Sequence, residues 1–297
     1  MTGRKNIFAD GIGQVFLAVI LWGSLPVYWK QLTGISPDQI LANRIICSFV
    51  FVFLILVGQK RLNYFRDVLR NEKKGIIFLS GLMITLNWFT YIYAVNTDHI
   101  IEASLGYYIN PLLTILLGRI VLKEKMNVQQ ATALFFALTG VVVSTVSYGK
   151  LPVISLVLAF TFSIYSLLKK RVQFDVVTGL TLETMIVFPA AVCYLLILHF
   201  HGVKVYGGLT YSELLFLWGT GVITAIPLML FAYGAKKVPL ITMGFIQYLT
   251  PTLSLFIGVF FYHEEFRAVE TVTFGLIWFA LGIYTFSQLK TLSRQER

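Results

Sequence analysis

Long apolar runs separated by short polar segments extend along the whole chain. A helix needs about 20 mostly apolar residues to cross the hydrocarbon core of a bilayer. Ten runs reach or approach that length, and the connections between them leave no room for a soluble domain. The predicted spans are 11–29, 38–57, 75–95, 100–122, 128–146, 151–168, 177–199, 213–235, 240–262 and 270–288. The pattern therefore predicts an all-α integral membrane protein with ten transmembrane helices.

The connection 58–74, between the second and third runs, has a different pattern. Leu62, Phe65, Leu69 and, approximately, Val68 fall on one face of a helix, with basic residues around the other face. A helix of this kind suits the boundary between lipid headgroups and acyl chains. We therefore expect a short amphipathic helix on the cytoplasmic membrane surface.

Composition agrees with a membrane environment. Hydrophobic residues make up 57% of the chain, charged residues 13%, and the mean hydropathy is +0.77. Soluble domains carry about 25% charged residues, so this chain could not cover a water-facing surface, and its expected partner is the lipid bilayer. The net charge of +10 does not indicate nucleic-acid binding, because the basic residues lie in short connections and form no continuous face.

The distribution of basic residues predicts the orientation. If the N-terminus is cytoplasmic and ten spans alternate, 19 of the 24 Lys and Arg residues face the cytoplasm and four face outside, with Arg44 inside a span. Cytoplasmic loops of membrane proteins are rich in Lys and Arg, and a miscount of one helix would remove this bias. We therefore predict a multi-pass protein of the cell membrane with both termini in the cytoplasm.

The chain also contains an internal repeat. At an offset of 140, residues 87–125 align without a gap to 227–265, and both copies contain Tyr-x-x-Pro-x-Leu-x-x-x-x-Gly-x-x-x-x-x-Glu. Five spans, an odd number, separate the copies, so the predicted halves 1–148 and 149–297 should have opposite orientations. Inverted repeats are common in secondary transporters, which bind substrate near the midplane between the halves.

Motifs along essentially the whole chain resemble one transporter family. They are Trp22-Gly23 with Pro26, Tyr28 and Lys30; Ile40-Leu41 with Arg44-Ile45-Ile46; Asn87-Trp88; Ala94-Val95-Asn96; Glu102-Ala103-Ser104-Leu105-Gly106-Tyr107; Ile109-Asn110-Pro111-Leu112; Thr178-Gly179 with Glu183-Thr184; Pro227-Leu228; Gly244-Phe245 with Gln247-Tyr248; and Pro251-Thr252-Leu253. At these residues the sequence resembles the drug/metabolite transporter superfamily and, within it, the EamA-type permeases called RarD. Cys47 departs from the family pattern, in which a tryptophan is expected.

The resemblance implies a ten-helix fold in which two inverted five-helix halves surround a central cavity. The implied activity is the movement of small metabolites or drugs across the cytoplasmic membrane by a secondary transporter.

Polar groups within the spans are candidates for the transport site, since an ionisable group costs about 2.5–3.5 kcal/mol at the centre of a membrane helix. Glu102, Gly106 and Asn110 share one face of the fourth span, where they line a cavity or serve helix packing. Other candidate wall residues are Trp22, Asn87, Trp88, Tyr91, Tyr107, Tyr165, Gln247 and Tyr248. Abundant aromatic surface and scarce charge favour a neutral or zwitterionic small-molecule substrate with an apolar body.

Three ionisable residues are candidates for gating or coupling. Arg44 and Glu102 lie at similar depths near the outer ends of their spans, which suggests an ion pair that closes the cavity from outside. Glu183 would close it from the cytoplasm through a cation at an inner span end; the nearest are Arg119, Lys169 and Lys170. Glu102 is also the candidate carrier of a coupling proton. A static pair that only orients helices is the alternative.

Two other function classes are weighed against transport. A membrane-embedded enzyme acting on a lipid or isoprenoid would need clustered acidic residues, a Ser/His pair or a metal triad, and the spans contain none. A receptor or channel is disfavoured by the inverted repeat and by the lack of a filter-like loop.

Energy for transport would come from a proton gradient or the substrate's own gradient, because the chain has no phosphate-binding loop. No cofactor or metal site is predicted. Cys47 and Cys193 are interpreted as packing residues, and the sequence does not predict an oligomeric state.

Overall fold

The computed structural model describes residues 2–71, 74–97, 99–263 and 268–296, and every regular element among them is helical. The α-helices are α1 (Thr2–Trp29), α2 (Pro37–Gly58), α3 (Leu62–Asn71), α4 (Lys74–Asn96), α5 (Ile100–Ile120), α6 (Val128–Tyr148), α7 (Val153–Arg171), α8 (Val176–Phe200), α9 (Tyr211–Ala235), α10 (Leu240–Gln247), α11 (Leu249–Phe256) and α12 (Ala268–Glu296). A 3-10 turn, Lys30–Leu32, extends α1, and a π turn, Ile257–Phe261, extends α11. Glu264 of the repeat motif lies outside the described residues.

Within the described ranges, nine helical stretches are long and apolar enough to cross a membrane, which makes this a multi-pass membrane protein. They match nine of the ten predicted runs. The tenth run forms α5, whose 21 residues would extend about 31 Å at 1.5 Å per residue. The count of ten spans stays a prediction.

The ninth predicted run, 240–262, is not one continuous α-helix, because α10 ends at Gln247 and a new helix, α11, follows. Pro251 accounts for the break: proline has no N–H group, and its ring clashes with the carbonyl four residues earlier, here that of Gln247. The Tyr248 N–H instead bonds the Phe245 carbonyl, three residues back, at 3.3 Å.

The predicted amphipathic helix is present as α3. Phe65 and Val68 are buried in the apolar cluster that also contains Leu56, whereas Leu62 and Leu69 are 37% and 40% exposed. Only part of the predicted apolar face therefore packs on the protein. Anchoring of the exposed part to the membrane surface stays a prediction.

The long helices pack against each other in pairs. Many of these contacts join the first half of the chain to the second: α5 with α7, α1 with α11, α2 with α9, α4 with α8, α4 with α7, and α1 with α9. Further contacts join α2 to α8, α5 to α10, and α6 to α12. The helices α1, α2, α4, α5 and α7–α11 therefore surround the centre of the bundle, while α6 and α12 pack mainly on each other.

Two glycines allow close contacts between the backbones of neighbouring helices. A Cβ atom at Gly221 of α9 would lie 2.3 Å from the backbone carbonyl carbon of Cys47 in α2, and one at Gly244 of α10 would lie 2.8 Å from the Pro111 oxygen in α5. Larger residues at either position would force the helices apart. Cys47 thus lies at a packed helix contact, as interpreted from the sequence, whereas Cys193 is exposed.

Candidate functional site

The helices enclose a cavity of about 420 Å³. Its wall comes from α1, α2, α4, α5, α7, α9, α10 and α11, the π turn and the first turn of α12. Pockets for small ligands span about 300–1,000 Å³ and combine an apolar lining with a few polar groups. The cavity therefore has the dimensions of a site for a small organic molecule.

Eight of the ten residues predicted for a cavity wall line this one space: Trp22, Asn87, Trp88, Tyr91, Gly106, Tyr107, Asn110 and Gln247. They come from four different helices, α1, α4, α5 and α10. Their part in binding a substrate stays a prediction.

Tyr165 and Tyr248 do not line the cavity, and both side chains are fully buried elsewhere. The Tyr165 hydroxyl donates to Oε2 of Glu183 at 3.2 Å. Tyr248 packs in an apolar cluster with residues of α5, α6 and α12, and its hydroxyl has no partner among the described residues. Successive helical residues point about 100° apart, so Gln247 reaches the cavity while Tyr248 is directed into the surrounding core.

Arg44 lies in the cavity wall between two aromatic rings. Its guanidinium carbon is 4.8 Å from the centre of the Trp88 ring and 5.7 Å from that of Trp29. Cation–π contacts of this kind contribute about 0.5–2 kcal/mol. The Arg44 Nε is buried without a hydrogen-bond partner, and no described carboxylate lies within ion-pair distance. The predicted pair of Arg44 with Glu102 is therefore absent from this conformation.

Glu102 instead bonds to groups around the start of α7. Its carboxylate accepts from the Tyr148 hydroxyl at 2.6 Å and from the Ile154 N–H at 3.2 Å, with Lys150 Nζ at 3.8 Å. A helix N-terminus has unpaired N–H groups and the positive end of the helix dipole, so it attracts a carboxylate. The hydrogen bond with Tyr148 and, to a smaller extent, the charge of Glu102 raise the pKa of Lys150 above its ordinary value.

Glu183 is at the centre of a second, fully buried polar cluster. Lys169 Nζ lies 2.6 and 2.7 Å from its two carboxylate oxygens, and the Ser80 hydroxyl donates to it at 2.5 Å. Of the three cations named from the sequence, Lys169 is thus the one in contact. Lys170 donates to the Val238 carbonyl at 2.6 Å instead. The gating role of the Glu183 contact stays a prediction.

Asn110 and Gln247 connect α5 with α10 at the cavity wall. The Asn110 amide nitrogen donates to Oε1 of Gln247 at 3.3 Å, and its oxygen accepts from Ser163 of α7 at 2.9 Å. The Gln247 Nε2 is buried without a partner among the described residues. Asn110 therefore combines both roles predicted for its helix face, because it lines the cavity and joins three helices.

Several wall residues were not predicted, among them Leu25, Pro26, Trp29 and Glu270. The first three lie three, four and seven residues after Trp22, so extending its helical face would have found them. Glu270 lies in the first turn of α12. Its place at the end of an apolar run gave no sign that it would face a central space.

Known proteins with similar sequences identify the family. The model of the EamA-like transporter family matches residues 10–146. Transporter YojE of Bacillus subtilis, described as uncharacterized, is 46% identical over 285 residues, which cover 94% of this chain and 95% of that protein. The chain belongs to the EamA-like transporter family.

Further relatives narrow the position of this transporter within the family. Protein RarD of Streptomyces exfoliatus is 38% identical over 293 residues, which cover 98% of this chain and 93% of that protein. The chain is accordingly a RarD-type EamA permease of the drug/metabolite transporter superfamily. A solved crystal structure matches with a TM-score of 0.70 at 21% identity, over 95% of this chain and 98% of the other, and shows a shared fold.

Proposed function

We propose that this transporter moves small molecules across the cytoplasmic membrane by alternating access, with the cavity as its binding site. The observation that carries the proposal is the position of the cavity along the helices. Most of its wall comes from the second halves of α1 and α4, the first halves of α2 and α5, α11, and the first turn of α12. With both termini in the cytoplasm, these parts belong to the outer half of the bundle, whereas Leu228 of α9 and Gln247 of α10 form the deeper part of the wall. We interpret the conformation as outward-facing.

Contacts between the two halves of the chain close the inner half in this interpretation. Ser80 of α4 bonds to Glu183 of α8 at 2.5 Å. The Glu124 carboxylate, four residues after the end of α5, accepts from the backbone N–H groups of Leu240 and Ile241 in α10 at 2.8 and 2.9 Å. These bonds must break for the cavity to open to the cytoplasm. The buried contact of Glu183 is therefore the proposed inner gate.

The helix contacts support two related conformations. If α1, α2, α4, α5 and α6 correspond to α7, α8, α9, α10–α11 and α12, the contact α5–α7 corresponds to α1–α11. In the same way the contact α2–α9 corresponds to α4–α8, and α4–α7 corresponds to α1–α9. The contacts α2–α8, α5–α10 and α6–α12 each join a helix to its own counterpart in the other half. This near-symmetry favours the halves 1–148 and 149–297. Exchanging the conformations of two such halves would turn an outward-facing cavity inward.

A reversible disulfide in the inner half tests the proposal. A Cβ atom at Gly118 of α5 would lie 3.1 Å from the Leu240 Cβ of α10. The two Cβ atoms of a disulfide are usually about 3.5–4.5 Å apart, so this distance is slightly short. The variant Gly118→Cys/Leu240→Cys, made without Cys47 and Cys193, should therefore form the bond after a small shift.

Proteoliposomes containing this variant would be offered labelled amino acids, aromatic acids and amphenicols. We expect uptake of at least one compound by the reduced protein and loss of that uptake on oxidation. The reduced protein is the matched control, because it carries the same substitutions without the cross-link. Uptake that continues unchanged in the oxidised protein would contradict alternating access through the inner half.

A further inference from the structure

The helices α2 and α8 carry opposite charges at equivalent positions. Ser36 is the cap residue before α2, and Asp175 is the cap residue before α8. Arg44 is the eighth residue after the first cap, and Glu183 is the eighth after the second. In the proposed correspondence of the two halves, the arginine in the cavity wall therefore occupies the place of the buried glutamate.

The residues that precede these caps complete the comparison. Lys30 and Lys169 each lie six residues before the cap of the following helix. Lys169 forms an ion pair with Glu183 at 2.6 Å, so the second half supplies both charges. In the first half both equivalent residues are cations: Lys30 lies over the Tyr262 ring at 3.8 Å, and Arg44 lies between tryptophans. Among the described residues, no carboxylate occupies the place in the first half that Glu183 occupies in the second.

The cavity wall itself has an excess of unpaired donors. Arg44 is the only Lys or Arg in the described wall, and the only carboxylate there, Glu270, is not within ion-pair distance of it. The Nε of Arg44 and the Nε2 of Gln247 are buried N–H donors without an acceptor. An unsatisfied buried donor costs about 1–3 kcal/mol. Arg44 is also part of the cavity wall, so a ligand with a charged acceptor can pair with its guanidinium.

We propose that the cavity binds a small molecule that carries a carboxylate and that Arg44 holds this group. The inference rests on the proposed function and adds the substrate class. A guanidinium can bind a carboxylate through two parallel hydrogen bonds. Because the described wall contains one cation and also the carboxylate of Glu270, its charge suits a ligand group with a single negative charge better than a phosphate. Trp22, Trp88 and Tyr107 provide flat apolar surface for an aromatic body. Of the neutral and zwitterionic substrates expected from the sequence, only those with a carboxylate remain.

Binding of 3-phenylpropanoate and its neutral amide, 3-phenylpropanamide, to the purified protein tests the proposal, because the two probes differ in charge and hardly in shape. We expect the acid to bind wild-type protein at least tenfold more tightly than the amide. The variant Arg44→Gln should lose this preference. Arg44→Lys should keep a preference with weaker binding, since an ammonium cannot form the planar two-bond contact. Lys30→Gln is the matched control, which removes a nearby cation outside the cavity wall and should bind as wild type.

Equal binding of acid and amide to wild-type protein would overturn the proposal, as would a preference that survives in a folded Arg44→Gln variant. If Arg44→Gln does not fold, the comparison of wild type with Arg44→Lys decides, and an unchanged affinity of Arg44→Lys for the acid counts against the proposal. Proteoliposome uptake separates this inference from the proposed function. Arg44-dependent binding without uptake would reject transport and keep the carboxylate site. Uptake of the amide that does not depend on Arg44 would keep transport and reject the carboxylate site.

Discussion

Replacing Glu183 with glutamine would leave Lys169 as an unpaired charge in the protein interior. The two side chains are 2% and 3% exposed, and both carboxylate oxygens lie within 2.7 Å of the lysine nitrogen. Removing one partner of a buried pair costs about 3–5 kcal/mol, whereas replacing both partners by neutral groups of similar size is often nearly neutral. We therefore expect Glu183→Gln to lose about 3–5 kcal/mol of stability and Glu183→Gln/Lys169→Met to regain most of it.

The free energy of unfolding in mixed detergent–SDS micelles would measure both variants against wild type. Asp10→Asn is the matched control, because the ion pair of Asp10 with Lys237 is 57% and 26% exposed, and exposed pairs contribute about 0–1 kcal/mol. A Glu183→Gln variant as stable as the Asp10→Asn control would refute the reasoning. So would a double variant that is no more stable than Glu183→Gln alone.

Three further predictions follow from close contacts and from the proposed orientation. Gly106→Val should reduce uptake and stability, because even a Cβ at this site would lie 3.1 Å from the Leu158 Cβ; normal uptake would mean that α5 and α7 can separate freely. Glu124→Gln should lower the free energy of unfolding by about 0.5–2 kcal/mol, as loss of a helix cap does, and an unchanged value would show that its bonds to α10 contribute nothing. In a cysteine-free background, a single cysteine at Lys204 should react with an impermeant thiol reagent only from outside, and one at Arg66 only from the cytoplasm. Labelling from the opposite sides would mean that the topology is reversed.

The helices could be predicted from the sequence because bilayer thickness dictates the length of each apolar run. The break between α10 and α11 was not predicted, although Pro251 is part of a family motif in that run, since a proline in a membrane helix produces either a kink or an interruption. The run that forms α5 contains polar residues, and the structure gives two of them partners on other helices: Glu102 and Asn110 bond to residues outside α5.

The candidate site was predictable where helical spacing and residue type agreed, as for the aromatic and amide residues of α4 and α5. The pairing of Arg44 with Glu102 was inferred from their similar depths along two helices. Depth does not specify the direction around the helix axis. The Tyr148 hydroxyl at the end of α6 and the Ile154 N–H at the start of α7 donate to Glu102 instead. In the outward-facing conformation proposed above an outer gate would be open, so the pairing of Arg44 with Glu102 in a closed state stays a prediction.

The most direct test of alternating access compares two single cysteines on α5 in the background without Cys47 and Cys193. Ser104 lines the cavity, whereas Thr114, ten residues and about 15 Å further along the helix, is fully buried. We predict that Ser104→Cys reacts with an impermeant thiol reagent from outside, and that Thr114→Cys reacts only from the cytoplasmic side, when the cavity turns inward. A Thr114→Cys variant that never reacts from the cytoplasm, or that reacts from both sides at once as in an open channel, would contradict the account.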